Sequence, residues 1–197
     1  MKLSLLPLLA LLGTGLSTPL EQRDIAAIKS VLTNINTQVN NLDSAITAKP
    51  LDAPTIVQKS DKLAQTIRDG TANVKGQEQL SSVDALGLVS PTQDLADDTE
   101  TTVQDLIGIK GKVQELGKGC TSLKSLQELN SAAKGLSGAI VDKVPESVNS
   151  IAGNLSDKIS GAIQKGVDAY QGACQAPKKD AGGVGGAKAG GGACKAQ

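Results

Sequence analysis

Apolar residues recur at alternating spacings of three and four along most of the chain. Ile25, Ile28, Leu32, Ile35, Val39, Leu42 and Ile46 keep that rhythm, while Lys29, Asn34, Gln38 and Asn41 hold the opposite face. Seven consecutive positions at helical period predict a long amphipathic helix. Lys49-Pro50 ends it, because the residue before a proline disfavours the α region. A second helix is expected to start between Asp52 and Thr55, with Pro54 in its first turn. Its stripe is Ile56, Ser60, Leu63, Ile67 and Val74, weakened by Gly70.

A short apolar segment follows at Leu80, Val83 and Leu86, and Gly87 and Pro91 break it. The spacing then predicts a third long helix from about Pro91 to Leu116, on Leu95, Thr99, Thr102, Leu106, Ile109, Val113 and Leu116. Its first turns carry Asp94, Asp97, Asp98 and Glu100, and its end carries Lys110, Lys112 and Lys118. That polarity complements the helix macrodipole. Gly117-Lys118-Gly119 reads as a turn. A fourth helix holds Leu123, Leu126, Leu129, Ala133, Leu136 and Ile140. Pro145 opens a fifth, with Val148, Ile151, Leu155, Ile159, Ile163, Val167 and Tyr170. No segment alternates as a strand would. The expected fold class is all-α, a bundle of about five amphipathic helices with short connections over residues 18–176.

The two ends read differently. Met1-Lys2 is a short basic start, Leu3 to Leu12 is an apolar run, and Gly13 to Ser17 supplies small residues. Gly15 and Ser17 suit the positions just before a cleavage point, so residues 1–17 read as a secretory signal peptide. The apolar run is too short to span a bilayer, which needs roughly 20 residues. From Pro177 to Gln197, Gly182-Gly183, Gly185-Gly186 and Gly190-Gly191-Gly192 are mixed with Ala and Lys. Such a low-complexity tail is expected to be disordered, since it cannot bury enough apolar area to order itself. It also lacks the apolar end of a glycolipid-anchor signal.

Composition narrows the chemistry. The 197 residues include one Tyr, no Phe, no Trp and no His. The core must be aliphatic. Without His, Ser-His-Asp and Cys-His catalysis and His-ligated metal sites are excluded, and no cofactor is implied. One aromatic ring provides no base-stacking platform, and 20 basic against 20 acidic residues give no basic footprint, so nucleic acid is not an expected partner. Without the signal and the tail, the body carries a net charge of about −4, which disfavours adsorption to anionic membranes. Adjacent carboxylates such as Asp97 and Asp98 read as a solvated acidic turn rather than an acid–base pair. No enzymatic activity is expected.

Three cysteines make an odd set. Cys120 opens the fourth helix and Cys174 follows the fifth, so antiparallel neighbours would bring both to one end of the bundle. In an oxidising compartment a Cys120–Cys174 disulfide is expected. Cys194 would then be free or would link chains, and a Cys174–Cys194 pair is the rival. Asn154-Leu155-Ser156 is a glycosylation sequon beside the apolar stripe, so Asn154 is a candidate glycan site. The aliphatic stripes have two readings: plain bundle core, or walls of a dry cavity for an acyl chain. The candidate lining residues are Ile35, Val39, Leu42, Leu106, Val113, Leu136, Leu155, Ile159 and Ile163, which are equally the expected core.

Arg23-Asp24-Ile25 directly after the signal, Leu42-Asp43-Ser44-Ala45-Ile46, and Lys143-Val144-Pro145 before a long final helix together resemble the fungal hydrophobic surface binding protein and cell wall galactomannoprotein family. The resemblance covers roughly residues 20 to 173. It implies a secreted all-α protein without enzymatic activity. It implies adsorption to hydrophobic surfaces, with recruitment of a lipolytic enzyme, or fatty-acid binding in a helical cavity as a wall mannoprotein. The first expected partner is therefore a hydrophobic surface, a fatty acid or another lipid. The alternative is a structural wall protein, tethered to wall polysaccharide through the tail lysines or Cys194, or a secreted effector acting on a host component. The Gly/Ala/Lys tail replaces the Ser/Thr-rich stalk of many wall members, which favours release into the medium.

Overall fold

The computed structural model describes residues 20–174. The expected signal peptide at 1–17, the tail at 177–197 and Cys194 lie outside the described residues. Seven α-helices follow one another: α1 (Leu20–Thr47), α2 (Ala53–Lys75), α3 (Ser82–Leu86), α4 (Val89–Gly108), α5 (Lys110–Glu115), α6 (Gly119–Val141) and α7 (Glu146–Tyr170). A 3₁₀ turn, Gln171–Cys174, closes the described chain. Five of the helices are long. They are the amphipathic segments of the sequence, and the short α3 and α5 sit between them.

The long helices form a closed ring in the order α1, α2, α6, α7, α4 and back to α1. Short connections make α1 and α2, and α6 and α7, antiparallel neighbours. Side-chain pairs show that α1, α4 and α7 run the same way. Asn40 Nδ2 donates to Asp98 Oδ2 at 3.2 Å between α1 and α4. Lys158 pairs with Asp97, and Lys165 with Glu100 at 3.3 Å, between α7 and α4. Leu80 N–H donates to Lys143 C=O at 2.8 Å, so the end of α2 and the end of α6 share one pole of the ring. The α3 helix lies at that pole, where Ser82 Oγ and Ser147 Oγ are 3.1 Å apart. At the other pole Tyr170 Oη donates to Leu106 C=O at 2.8 Å.

Gly70 is an interface residue rather than merely a weak point of α2. A Cβ there would lie 2.6 Å from Val31 Cγ1, so the α1–α2 crossing requires a hydrogen at that position. Gly119 has the same role at the opposite pole, where a Cβ would overlap the carbonyl oxygen of Ala173.

The third predicted helix needs correction. It starts at Val89, not Pro91, because Pro91 sits in the first turn, where no intrahelical N–H bond is lost. It also ends early. Ile109 leaves helical geometry at φ −93° and ψ 2°, between the poor helix formers Gly108 and Gly111. The following α5 is a separate short helix that ends in a left-handed cap. Gly117 has φ +67°, and Lys118 N–H reaches back to Val113 C=O at 3.0 Å. Leu116, just past the end of α5, is off the buried stripe and exposed.

Candidate functional site

The ring encloses a narrow apolar cavity of about 100 Å³. All five long helices line it. From α1 come Leu32, Ile35, Val39 and Leu42, and from α2 Ile56, Val57, Ser60, Leu63 and Ile67. The α4 wall runs from Val89 to Leu106, and the α7 wall from Val148 to Ile163. At 1.5 Å per residue the α4 wall alone is about 26 Å long. Lining residues follow that whole length, while the enclosed volume is small. It exceeds by several-fold the roughly 10–15 Å³ that a single water needs, yet its walls offer water few partners.

None of the lining residues is charged. Their polar groups are hydroxyls, and the four on α2 and α4 are already engaged. Ser60 donates to Ile56 C=O at 3.0 Å, Thr92 to Leu88 C=O at 2.8 Å, Thr99 to Leu95 C=O at 2.7 Å and Thr102 to Asp98 C=O at 2.8 Å. These bonds turn the donors back into their own helices and leave methyl and methylene surface toward the cavity. The arrangement suits a long apolar guest and provides no acid–base pair. Among the described residues, no group of three or more His, Cys, Asp or Glu could hold a metal ion.

Lining residues are least buried along α7 from Ile151 to Ile159. Ile151 lines the cavity and is also 39% exposed. Ala152, Leu155, Ser156 and Ile159 line it while only partly buried. On α3 itself, Ala85 faces the cavity, whereas Val83 is 80% exposed and Leu86 is exposed as well.

Eight of the nine expected lining residues stand in the wall: Ile35, Val39, Leu42, Leu106, Leu136, Leu155, Ile159 and Ile163. Val113 does not. It is 1% exposed and packs in the core, but the break at Ile109 carries it past the end of the tube. Sequence reasoning missed Ser122 and Ser125. Apolarity alone starts the fourth-helix stripe at Leu123, yet stepping back four residues from Leu129 and Leu126 reaches Ser125 and Ser122. Both are buried cavity residues, and Leu123 is only half-buried.

Two other candidates lie outside the cavity. Cys120 is disulfide-bonded. It begins α6 beside Gly119, which packs on Ala173 of the 3₁₀ turn that ends at Cys174. Asn154 is exposed on α7, on the outer side of the cavity wall. Among the described residues no helix is long and apolar enough to cross a membrane.

Comparison with known proteins agrees with this geometry. The family model for hydrophobic surface binding protein A matches residues 25–142. Cell wall mannoprotein 1 of Aspergillus flavus is 42% identical over 172 residues, which are 87% of this chain and 63% of that protein. The chain therefore spans somewhat under two thirds of that relative's length. Ligand binding domain 1 of the Penicillium marneffei MP1 protein, solved in complex with arachidonic acids, superposes with a TM-score of 0.73 at 33% identity. The match covers 75% of this chain and 99% of that one. Ligand binding domain 2 of the same protein, complexed with multiple arachidonic acids, gives 0.73 at 32% identity over 75% and 96%. A helix ring around an aliphatic tube, matched in sequence along most of its length, places this chain in the hydrophobic surface binding protein A family.

Proposed function

We propose that this chain is a secreted, non-enzymatic binder of long-chain fatty acids, which it holds with the acyl chain threaded along the ring. The carrying observation is the uninterrupted, uncharged wall from Val89 to Leu106 and from Val148 to Ile163 around one apolar cavity. Two related domains of similar fold are complexed with arachidonic acids, which supports the same ligand class here. Each methylene moved from water to such a wall contributes about 0.8 kcal/mol, so a long chain reaches micromolar affinity after the costs of association. Eight wall residues from Ile35 to Ile163, without Val113, are the proposed contacts. Titration of the delipidated protein with palmitic acid tests this. The reading expects saturable one-chain binding that Leu155→Trp, which fills the tube, abolishes while the fold persists. Unchanged binding by that variant would remove the cavity from the mechanism.

The secretory context rests on the signal-like residues 1–17, the disulfide at Cys120 and the exposed sequon at Asn154. Its relatives named as cell wall mannoproteins support release into the wall or the medium.

A second reading has its own observation. Val83, Leu86 and Ile151 present an exposed apolar group at the α3 pole. That pole would be the first part of the molecule to adsorb to a hydrophobic solid. Asp replacement at Val83 and Leu86 is expected to weaken adsorption to polystyrene beads and to leave fatty-acid affinity unchanged.

A further inference from the structure

The cavity is shut at both poles, and its weakest cover is one stretch of side wall. Toward the α3 pole its lining residues Leu88, Val144 and Val148 are buried, and toward the Tyr170 pole so are Leu106, Leu126 and Ile163. The four lining residues of α1 are each at most 4% exposed. On α7 the pattern differs. Between Val148 and Ala162 that helix has no buried residue, yet Ile151, Ala152, Leu155, Ser156 and Ile159 of the same stretch line the cavity.

The two halves of α7 are held unequally. In the C-terminal half, a Cβ at Gly166 would lie 3.1 Å from both Leu126 Cδ2 and Val103 Cγ1, so the helix is packed hard onto α6 and α4 there. The Tyr170 bond to Leu106 C=O and the contact of Ala173 with Gly119 fix its end. Over residues 149–161 the one polar side-chain tie to another helix, among the described residues, is Lys158 to Asp97. Those side chains are 41% and 55% exposed, and an ion pair so exposed holds little. Gly153 and Gly161 lie in this stretch. An added Cβ would meet nothing within 4 Å at either, so no neighbour requires glycine there. Glycine inside a helix lowers its stability, because the unfolded chain has more freedom to lose. A segment with few buried contacts and a weakened helix is the part of a fold that opens first.

We propose that residues 149–161 of α7 are the gate of the cavity. The segment turns outward on its anchored C-terminal half and parts from α4 as Lys158 leaves Asp97. The acyl chain enters sideways, meets Ile151, Leu155 and Ile159 first, and is covered when the segment returns. This deepens the proposed function and rests on it. Sideways entry spares the chain a passage end-on through a buried pole.

Stopped-flow uptake of cis-parinaric acid, a fluorescent fatty acid, and its release into excess palmitic acid test the gate in the full chain. The G153A/G161A variant stiffens the segment without altering the wall, since neither glycine lines the cavity. The matched control is G135A/G138A on α6, where the added Cβ atoms also meet nothing within 4 Å and do not line the cavity. Uptake and release should both slow at least about fivefold in G153A/G161A, with equilibrium affinity unchanged, and neither rate should change in the control. Amide hydrogen exchange is the second readout: in the empty wild type, residues 149–161 should exchange faster than residues 162–170. Unchanged rates in G153A/G161A, equal slowing in the control, or equal exchange in the two halves overturns the gate and leaves the cavity reading standing. Absence of saturable binding by the wild type overturns both.

Discussion

The hydroxyl of Tyr170 donates to the backbone carbonyl of Leu106 at 2.8 Å, and that bond ties the end of α7 to the end of α4. The carbonyl belongs to the last turn of α4, whose acceptors have no partner within the helix. Tyr170 is fully buried and is the one aromatic residue of the chain, so a single ring closes this pole. Tyr170→Phe keeps the ring and strands the carbonyl. The expected loss is about 1–3 kcal/mol in chemical denaturation. Burial pushes the phenol well above its usual range. The native state therefore keeps a proton that the unfolded state releases above about pH 10. Stability should fall as pH rises beyond that point in the wild type, and this component should be missing in the Phe variant.

The α1–α2 crossing gives a packing prediction. Gly70→Ala gains helix propensity worth up to about 1 kcal/mol. It also puts a methyl group 2.6 Å from Val31 Cγ1, and overpacking of this kind costs typically 1–3 kcal/mol. The variant should be less stable than the wild type by urea denaturation. Val31→Ala should remove the clash, so the double variant should be more stable than the sum of the two single losses predicts.

Asp43 on α1 faces Asp105 and Asp98 on α4. Burial first, then the Asp105 charge, a side-chain hydrogen bond with Asp105 and the Asp98 charge hold its carboxyl above the usual carboxylate range. A raised native value means that the folded state binds the proton more tightly than the unfolded state. Stability contributed by this group therefore grows as pH falls through the raised value toward about 3.8. Asp43→Asn should be slightly more stable than the wild type at pH 7, by less than about 1 kcal/mol because solvent screens the pair. The difference should vanish below about pH 3.8.

The disulfide at Cys120 is expected to reach Cys174, because the residue preceding each, Gly119 and Ala173, are packed together. Non-reducing peptide mapping should find those two cysteines joined and Cys194 elsewhere. Cys174→Ser should lower stability by about 2–5 kcal/mol. A Cys120–Cys194 peptide would refute this pairing.

Chain length should set affinity. If each methylene contributes about 0.8 kcal/mol, removing one weakens binding roughly fourfold. A series of saturated fatty acids from palmitic acid downward should show that slope by competition titration. A flat series would mean that the acyl chain stays outside the tube.

Much of this was legible in the chain. The stripe from Ile25 to Ile46 forms one uninterrupted helix, because every position of the repeat found a neighbour in the ring. The break at Ile109 was not legible, since Ile109, Val113 and Leu116 continue the same period as Leu106. Two glycines and the non-helical backbone at Ile109, which periodicity does not report, decide it. The same event separates Leu106, in the cavity wall, from Val113, in plain core. Ser122 and Ser125 escaped for another reason. Sequence reading assigns inward faces by apolarity, and a wall position occupied by serine looks like a surface position until its helix is packed.

The central claim is that the tube takes an acyl chain. Native mass spectrometry of the secreted protein, followed by denaturing lipid extraction, addresses it most directly. The account predicts a bound mass that matches a long-chain fatty acid and leaves on denaturation, or an empty protein that acquires one equivalent of palmitic acid on incubation. A folded, empty protein that takes up none would contradict it.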